Sequence, residues 1–186
     1  MKKITLIIIL TTIFSMNSQD KLPYYQIPEP AKEFTPGTTA SRMVDGLGFR
    51  YYWATEGLTE KDLRFKPNEE ARTTEETIDH ILGLSQVILN ATLKVANGAK
   101  QPEMTYAEKR KKTLINLKKA SDILRNSNDV SEFKLIFGEK VYPFWNAING
   151  PIADAIWHVG QVVSFRRSSG NPFPKGVSVL QGIKKS

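Results

Sequence analysis

The sequence has no cysteine and only two histidines in its 186 residues. Without cysteine the chain has no thiolate nucleophile, no disulfide and no thiol for lipid attachment. A domain of this size must then be stabilised by its apolar core. Any imidazole chemistry must involve His80 or His158.

Long apolar runs are also missing after the first residues of the chain. Lys2 and Lys3 precede an apolar run over residues 4–16, and small polar residues follow it. This layout is typical of a secretory signal peptide, and the run is shorter than the roughly 20 residues that span a bilayer. We therefore predict a signal peptide over residues 1–18, cleaved near residue 18, in preference to an uncleaved anchor. The protein is then expected to be periplasmic or secreted, with no stable membrane insertion after cleavage.

The formal net charge is +7, and the basic excess is local. Residues 100–125 hold eight basic side chains and three acidic ones. Such a stretch can bind an anionic partner such as nucleic acid or a membrane surface, or it can be the solvated face of a helix. We favour the solvated face, because no aromatic platform or known nucleic-acid module accompanies it. No nucleic-acid partner is expected.

The domain is preceded by a segment of different composition. Residues 19–37 are rich in proline and have few periodic apolar positions. They are predicted to form an extended linker or a strap on the surface, with Tyr24, Tyr25 and Ile27 as anchors. The remainder, residues 38–186, has the length of one domain.

Four segments have the apolar periodicity of helices, at residues 38–56, 73–97, 105–126 and 150–170. Residues 129–142 alternate apolar and polar positions, which fits a hairpin and a loop crossing equally well. The connections are longer than a minimal bundle needs, which indicates at least one crossover. The predicted fold class is therefore all-α, a four-helix bundle with a crossover connection, with room for one small hairpin before the last helix.

Both histidines lie on predicted helices, where they can meet in the bundle core. Asp154 and His158 are four residues apart on the last helix, so their side chains share one face. His80 lies on the inward edge of the second helix. Three ligands from two helices would leave positions open for water or substrate. On the residues alone, the metal site is the less favoured interpretation, because Asp154 also fits as an acid at the positive end of a helix dipole and an isolated histidine is more often a surface or hydrogen-bonded core residue.

Three segments together carry a resemblance to a known family. Residues 145–172, "WNAINGPIADAIWHVGQVVSFRRSSGNP", resemble the last helix of DinB-like proteins. Residues 75–84, "EETIDHILGL", are similar to the second helix of that family, and residues 51–67, "YYWATEGLTEKDLRFKP", to its first helix and exit. The resemblance implies a four-helix bundle that holds a divalent metal through three histidines. It also implies that the protein can form a homodimer.

The resemblance assigns the metal ligands by position. His80 matches the histidine of the second helix and His158 the last of the two on the final helix, while Asp154 stands at the middle position. This departure implies either a site of two histidines and one carboxylate, which suits zinc, nickel, iron or manganese, or a site that has lost its affinity.

The function implied is a metal-dependent enzyme acting on a small molecule that the sequence does not identify. Relatives include transferases and isomerases that use a small thiol, which is scarce outside the cell, so a metal-activated water and hydrolysis suit an exported protein better than transfer. The alternative is a non-catalytic bundle that binds a ligand and keeps a degenerate metal site. No catalytic acid or base is identified. The candidate substrate-binding residues are Gln161, Asn149, Trp157 and Arg166.

Overall fold

The computed structural model describes residues 21–185, so the predicted signal peptide over residues 1–18 lies outside the described residues. Within that range, no helix has both the length and the apolar character needed to cross a bilayer. The helices are α1 (Pro36–Thr55), α2 (Glu60–Arg64), α3 (Thr74–Leu93), α4 (Tyr106–Arg125), α5 (Trp145–Ala147) and α6 (Ala153–Ser169). The strands are β1 (Lys134–Phe137), β2 (Lys140–Pro143), β3 (Val177–Ser178) and β4 (Ile183–Lys184).

The chain is mostly helical, and the long helices α1, α3, α4 and α6 pack around one apolar core. Helices α1 and α3 each contact both α4 and α6 but lie diagonally from each other. The connection through α2 therefore crosses over to the diagonal position. Fully buried side chains from all four helices fill the centre, among them Leu47, Ile81, Leu117 and Val162.

Local sequence signals explain where the helices begin. Threonine N-caps at Thr35, Thr73 and Thr105 each accept a hydrogen bond from the backbone three residues later, and the side chain at that later position bonds back to the cap. These are capping boxes, which satisfy two free backbone donors at once. The predicted helix at residues 105–126 is confirmed within one residue at each end.

Helix α3 ends at Leu93, so the predicted end near residue 97 was wrong. Lys94 adopts the left-handed conformation, with φ of 57°, and terminates the helix there. Asn97 then pairs with β1, because its backbone N–H donates to the carbonyl of Ile136 at 2.8 Å. Contacts with a distant strand, rather than helix propensity, decide this boundary.

The structure selects the hairpin for residues 129–142. Strands β1 and β2 pair antiparallel, with Lys134 opposite Pro143 and Phe137 opposite Lys140. Gly138 has a φ of 59° in the connecting turn, a conformation that glycine adopts without strain. With this hairpin and the short pair of β3 and β4, the chain is not purely helical.

The last long helix starts later than predicted. Residues Ile148–Ile152 form a wide π-type turn in which Gly150 leaves the helical conformation, and Pro151 contributes no backbone N–H. The regular helix therefore begins at Ala153 rather than near residue 150. It ends, as predicted, at Gly170, which has a φ of 100°.

Residues 21–35 form the predicted strap along the bundle. Tyr24 is buried, and its hydroxyl donates to Asp45 Oδ1 at 3.1 Å. The backbone carbonyl of Tyr25 accepts a hydrogen bond from Trp53 Nε1 at 3.1 Å. The backbone N–H of Ile27 donates to the carbonyl of Gly182 at 2.8 Å, so the strap also joins the C-terminal hairpin.

Candidate metal centre

Helices α3 and α6 bring His80, Asp154 and His158 together. His80 Nε2 lies 3.2 Å from Asp154 Oδ2, and His158 Nε2 lies 3.3 Å from Asp154 Oδ1. One ligand atom from each residue lies within 4.8 Å of the other two. The two imidazole rings are 4.5 Å apart between centroids and nearly perpendicular, at 87°. The carboxylate thus stands between two imidazole nitrogens.

These separations suit a shared metal ion. Ligand atoms that each lie about 2.1 Å from one ion are about 3.0–3.4 Å apart at octahedral or tetrahedral angles. Both contacts of Asp154 fall in that interval. The two contacts use different oxygens of Asp154, and one ligand atom per residue can be chosen within 4.8 Å of the other two, so the three side chains are grouped closely enough to converge on one divalent cation.

Gln161 orients one of the imidazoles. Its Oε1 lies 2.7 Å from His158 Nδ1. An amide oxygen only accepts, so we assign a proton of His158 to Nδ1, which in the neutral imidazole leaves a lone pair on Nε2 toward Asp154. A metal-binding histidine usually donates a hydrogen bond from its non-ligating ring nitrogen, which fixes the tautomer and the orientation of the ring. Gln161 was predicted to contact substrate, but in the structure its side chain contacts His158. Their spacing of three residues on one helix could have predicted this contact.

The wide turn before α6 sets the position of Asp154. Because the helix restarts at Ala153, Asp154 lies in its first turn, where the positive end of the helix dipole favours a carboxylate. Wide turns of this kind are frequent at functional sites. Here the turn directs the start of α6 alongside α3.

The three side chains are accessible from solvent to different degrees. The exposed fraction is 14% for His158, 32% for His80 and 38% for Asp154. Five cavities of about 330–620 Å³ in the described part of the chain are lined by other residues. The triad is therefore partly exposed, with Asp154 and His80 more accessible to solvent than His158.

Asn149 and Trp157 flank the triad in sequence but make no hydrogen bond to it among residues 21–185. Asn149 is exposed in the wide turn, and the side chain of Trp157 is 72% exposed on α6. The prediction that they bind substrate stays a prediction.

Arg166 has a different role from the predicted one. The residue is only 2% exposed, and its guanidinium donates to the backbone carbonyls of Trp53, Ala54 and Asn171 at 2.8–3.0 Å. Burial lowers the pKa of Arg166. Its donors are already used to close the last turn of α1, so it is not available to clamp a substrate. We correct that prediction: the side chain of Arg166 points to the core because of its position on α6.

A second polar cluster surrounds Arg166 at the C-terminal end of α6. The buried carboxylate of Asp62 accepts hydrogen bonds from Ser169 Oγ, from Asn171 Nδ2 at 2.8 Å and from Thr59 N at 2.8 Å. Burial by itself would raise the pKa of Asp62, but the hydrogen bonds from Asn171, Ser169 and Thr59 hold it well below its usual value. This cluster joins α2 to the end of α6. No sequence pattern indicates it, because Ser169 and Asn171 lie more than 100 residues from Asp62 in the chain.

No protein-family model, curated protein or solved structure matches the chain. Its chemistry is therefore inferred from the geometry of its own side chains.

Proposed function

We propose that this protein is an exported member of the DinB-like family that binds one divalent metal ion through His80, Asp154 and His158. The observation that carries the proposal is the carboxylate of Asp154, which lies 3.2 and 3.3 Å from two imidazole nitrogens on two different helices. The resemblance of residues 75–84 and 145–172 to that family gives independent support from the sequence.

Electrostatics favour a cation at the centre of the triad. With the proton of His158 on Nδ1, the lone pair of Nε2 faces a carboxylate oxygen 3.3 Å away. In this neutral form the two acceptors repel each other, and the contact becomes favourable when a positive charge is supplied, either by a second proton on the imidazole or by a divalent ion between the two atoms. A divalent ion supplies that charge and at the same time satisfies both groups.

The donor set is compatible with zinc, nickel, iron or manganese, because imidazole and carboxylate together suit all four. Three protein ligands leave coordination positions open, the pattern of a catalytic site. When bound, such an ion lowers the pKa of a coordinated water and polarises a carbonyl or phosphoryl oxygen, which supports hydrolysis of a small molecule. His80, His158 and Asp154 would hold the ion between the helices, Gln161 fixes the ring of His158, and the carboxylate of Asp154 would reduce the net charge of the site.

Metal titration tests the proposal. We expect metal-free protein to bind one zinc ion per chain, and His80→Ala or Asp154→Asn to weaken binding at least about 100-fold, since each removes one of three ligands. Asp122→Asn is the matched control, because Asp122 is an exposed carboxylate paired with Lys118 on α4. Binding that stays stoichiometric in both triad variants, or that is absent in the parent chain, contradicts the proposal.

The second candidate is a bundle that binds a ligand without catalysis. It is favoured by one observation: apart from Gln161, no other side chain of residues 21–185 is hydrogen-bonded to the triad, so no general acid or base is evident. The two candidates differ in turnover. A metal-dependent hydrolysis of small esters or amides that disappears in His80→Ala, with an unchanged thermal melt, supports the enzyme. Stoichiometric metal binding with no such turnover supports the binding protein.

A further inference from the structure

A second candidate ligand site lies on the opposite edge of α6 from the triad. A groove of about 360 Å³ runs between α6 and the C-terminal segment. Ile156, Val159 and Val163 line it on the helix, and Phe173 and Val179 line it on the segment that follows. Helical periodicity separates this face from that of Asp154 and His158. The groove is therefore distinct from the candidate metal centre.

Two arginines without acidic partners line the same groove. Neither Arg50 nor Arg167 takes part in an ion pair in the described range 21–185, whereas Arg110 and Arg125 pair with Glu56 and Asp45. Among residues 21–185, the only side-chain hydrogen bond of Arg50 goes to the backbone carbonyl of Gly46, one turn earlier. None of the lining residues is acidic. Two unneutralised guanidiniums beside an apolar floor are complementary to an anion with a hydrocarbon part.

Gly160 contributes to the space in the groove. It lies in the interior of α6, where glycine is a poor helix former. A Cβ built on Gly160 would meet no atom within 4 Å, so close packing is not the reason for a glycine here. Because Gly160 lines the groove, a larger side chain at this position would take up part of its space.

We infer that this groove binds a free medium-chain carboxylate, with the hydrocarbon against Val159, Val163 and Phe173 and the carboxylate between Arg50 and Arg167. Its volume of about 360 Å³ is near the lower end of the range of about 300–1,000 Å³ for small-molecule sites. A short hydrocarbon chain fits that space, and a whole phospholipid exceeds it.

Calorimetric titration of monomeric decanoate into the purified full chain tests the inference. We expect saturable binding of one decanoate per chain and at least about tenfold weaker binding of decanol, because decanol lacks the charge that pairs with guanidinium. Arg50→Gln and Arg167→Gln should each weaken decanoate binding about tenfold for the same reason. His80→Ala should bind decanoate as the parent chain does, so the outcome is independent of the metal proposal.

Gly160→Leu tests the apolar half of the groove with both arginines intact. We expect it to weaken decanoate binding by at least about tenfold while the melting temperature does not fall, since leucine is a better helix former than glycine. Equal affinity for decanol and decanoate, binding unaffected by these variants, or binding only to anionic phospholipid vesicles and not to monomeric decanoate would overturn the inference.

Discussion

The two ends of α6 carry polar clusters of opposite character. At the N-terminal end, Asp154 and His158 meet His80 near the surface, with the two oxygens of Asp154 lying 3.2 and 3.3 Å from an imidazole nitrogen of each histidine. At the C-terminal end, Arg166 meets Asp62 and its partners in the interior, where its guanidinium and the carboxylate of Asp62 have hydrogen-bond partners. The N-terminal cluster is open to solvent, and the C-terminal cluster is closed, with its hydrogen bonds made within the protein.

The difference shows how to separate a structural polar cluster from a ligand site on one helix. Buried polar groups that satisfy one another stabilise the fold and have nothing left to offer a ligand. Half-exposed imidazole and carboxylate groups that converge from two helices are instead a candidate site for a cation.

The largest expected loss of stability comes from removing the guanidinium of Arg166 from the closed cluster. Arg166→Met should lower the free energy of unfolding by about 3–5 kcal/mol, because the carbonyls of Trp53, Ala54 and Asn171 would lose their donor in the interior. Arg167→Met, one residue away and exposed, is the control and should change stability by no more than about 0.5 kcal/mol. Denaturant unfolding measures both. Equal losses in the two variants would contradict the structural role of Arg166.

An intermediate effect with a defined pH dependence is expected at Asp62. Asp62→Asn should lower the free energy of unfolding by about 1–3 kcal/mol at pH 7, because the hydrogen bonds to an ionised carboxylate are lost. The pKa of Asp62 is depressed in the folded state, so its contribution is complete above the unfolded value of about 3.9 and is lost as the pH falls toward the folded value. The difference in stability between parent and variant should therefore shrink below about pH 4.

Urea unfolding at a series of pH values measures this difference. Asp122→Asn, at an exposed carboxylate, is the comparison and should show little difference from the parent at any pH. A gap between parent and Asp62→Asn that widens on acidification is the result that would refute the depressed pKa.

The smallest expected effect concerns the open cluster. Gln161→Leu should weaken zinc binding by about tenfold, because the Nδ1–H of His158 loses its acceptor, while the metal-free melt stays unchanged. Gln161→Glu retains an acceptor at the same position and should bind zinc at least as tightly as the parent. Competition titration with a chromogenic chelator measures both affinities. If the two variants bind zinc with the same affinity, Gln161 does not position His158.

Much of the helical architecture could be predicted because its signals are local. The capping boxes at Thr73 and Thr105 lie within four residues of the helix starts they define. The end of α3 could not be predicted in the same way, since Asn97 is held by Ile136, far along the chain. The delayed start of α6 likewise depends on a wide turn around Gly150 that periodicity does not reveal.

The sequence by itself determined that Asp154 and His158 share one face of a helix, because four residues make about one helical turn. It also determined that His80 was the only other imidazole available to them. Only the tertiary structure decided that His80, 74 positions before Asp154, approaches its carboxylate, and that Arg166 turns into the core. The reason is that the spacing of residues along a helix determines which side chains share a face, whereas contacts between helices depend on how the helices pack around the core.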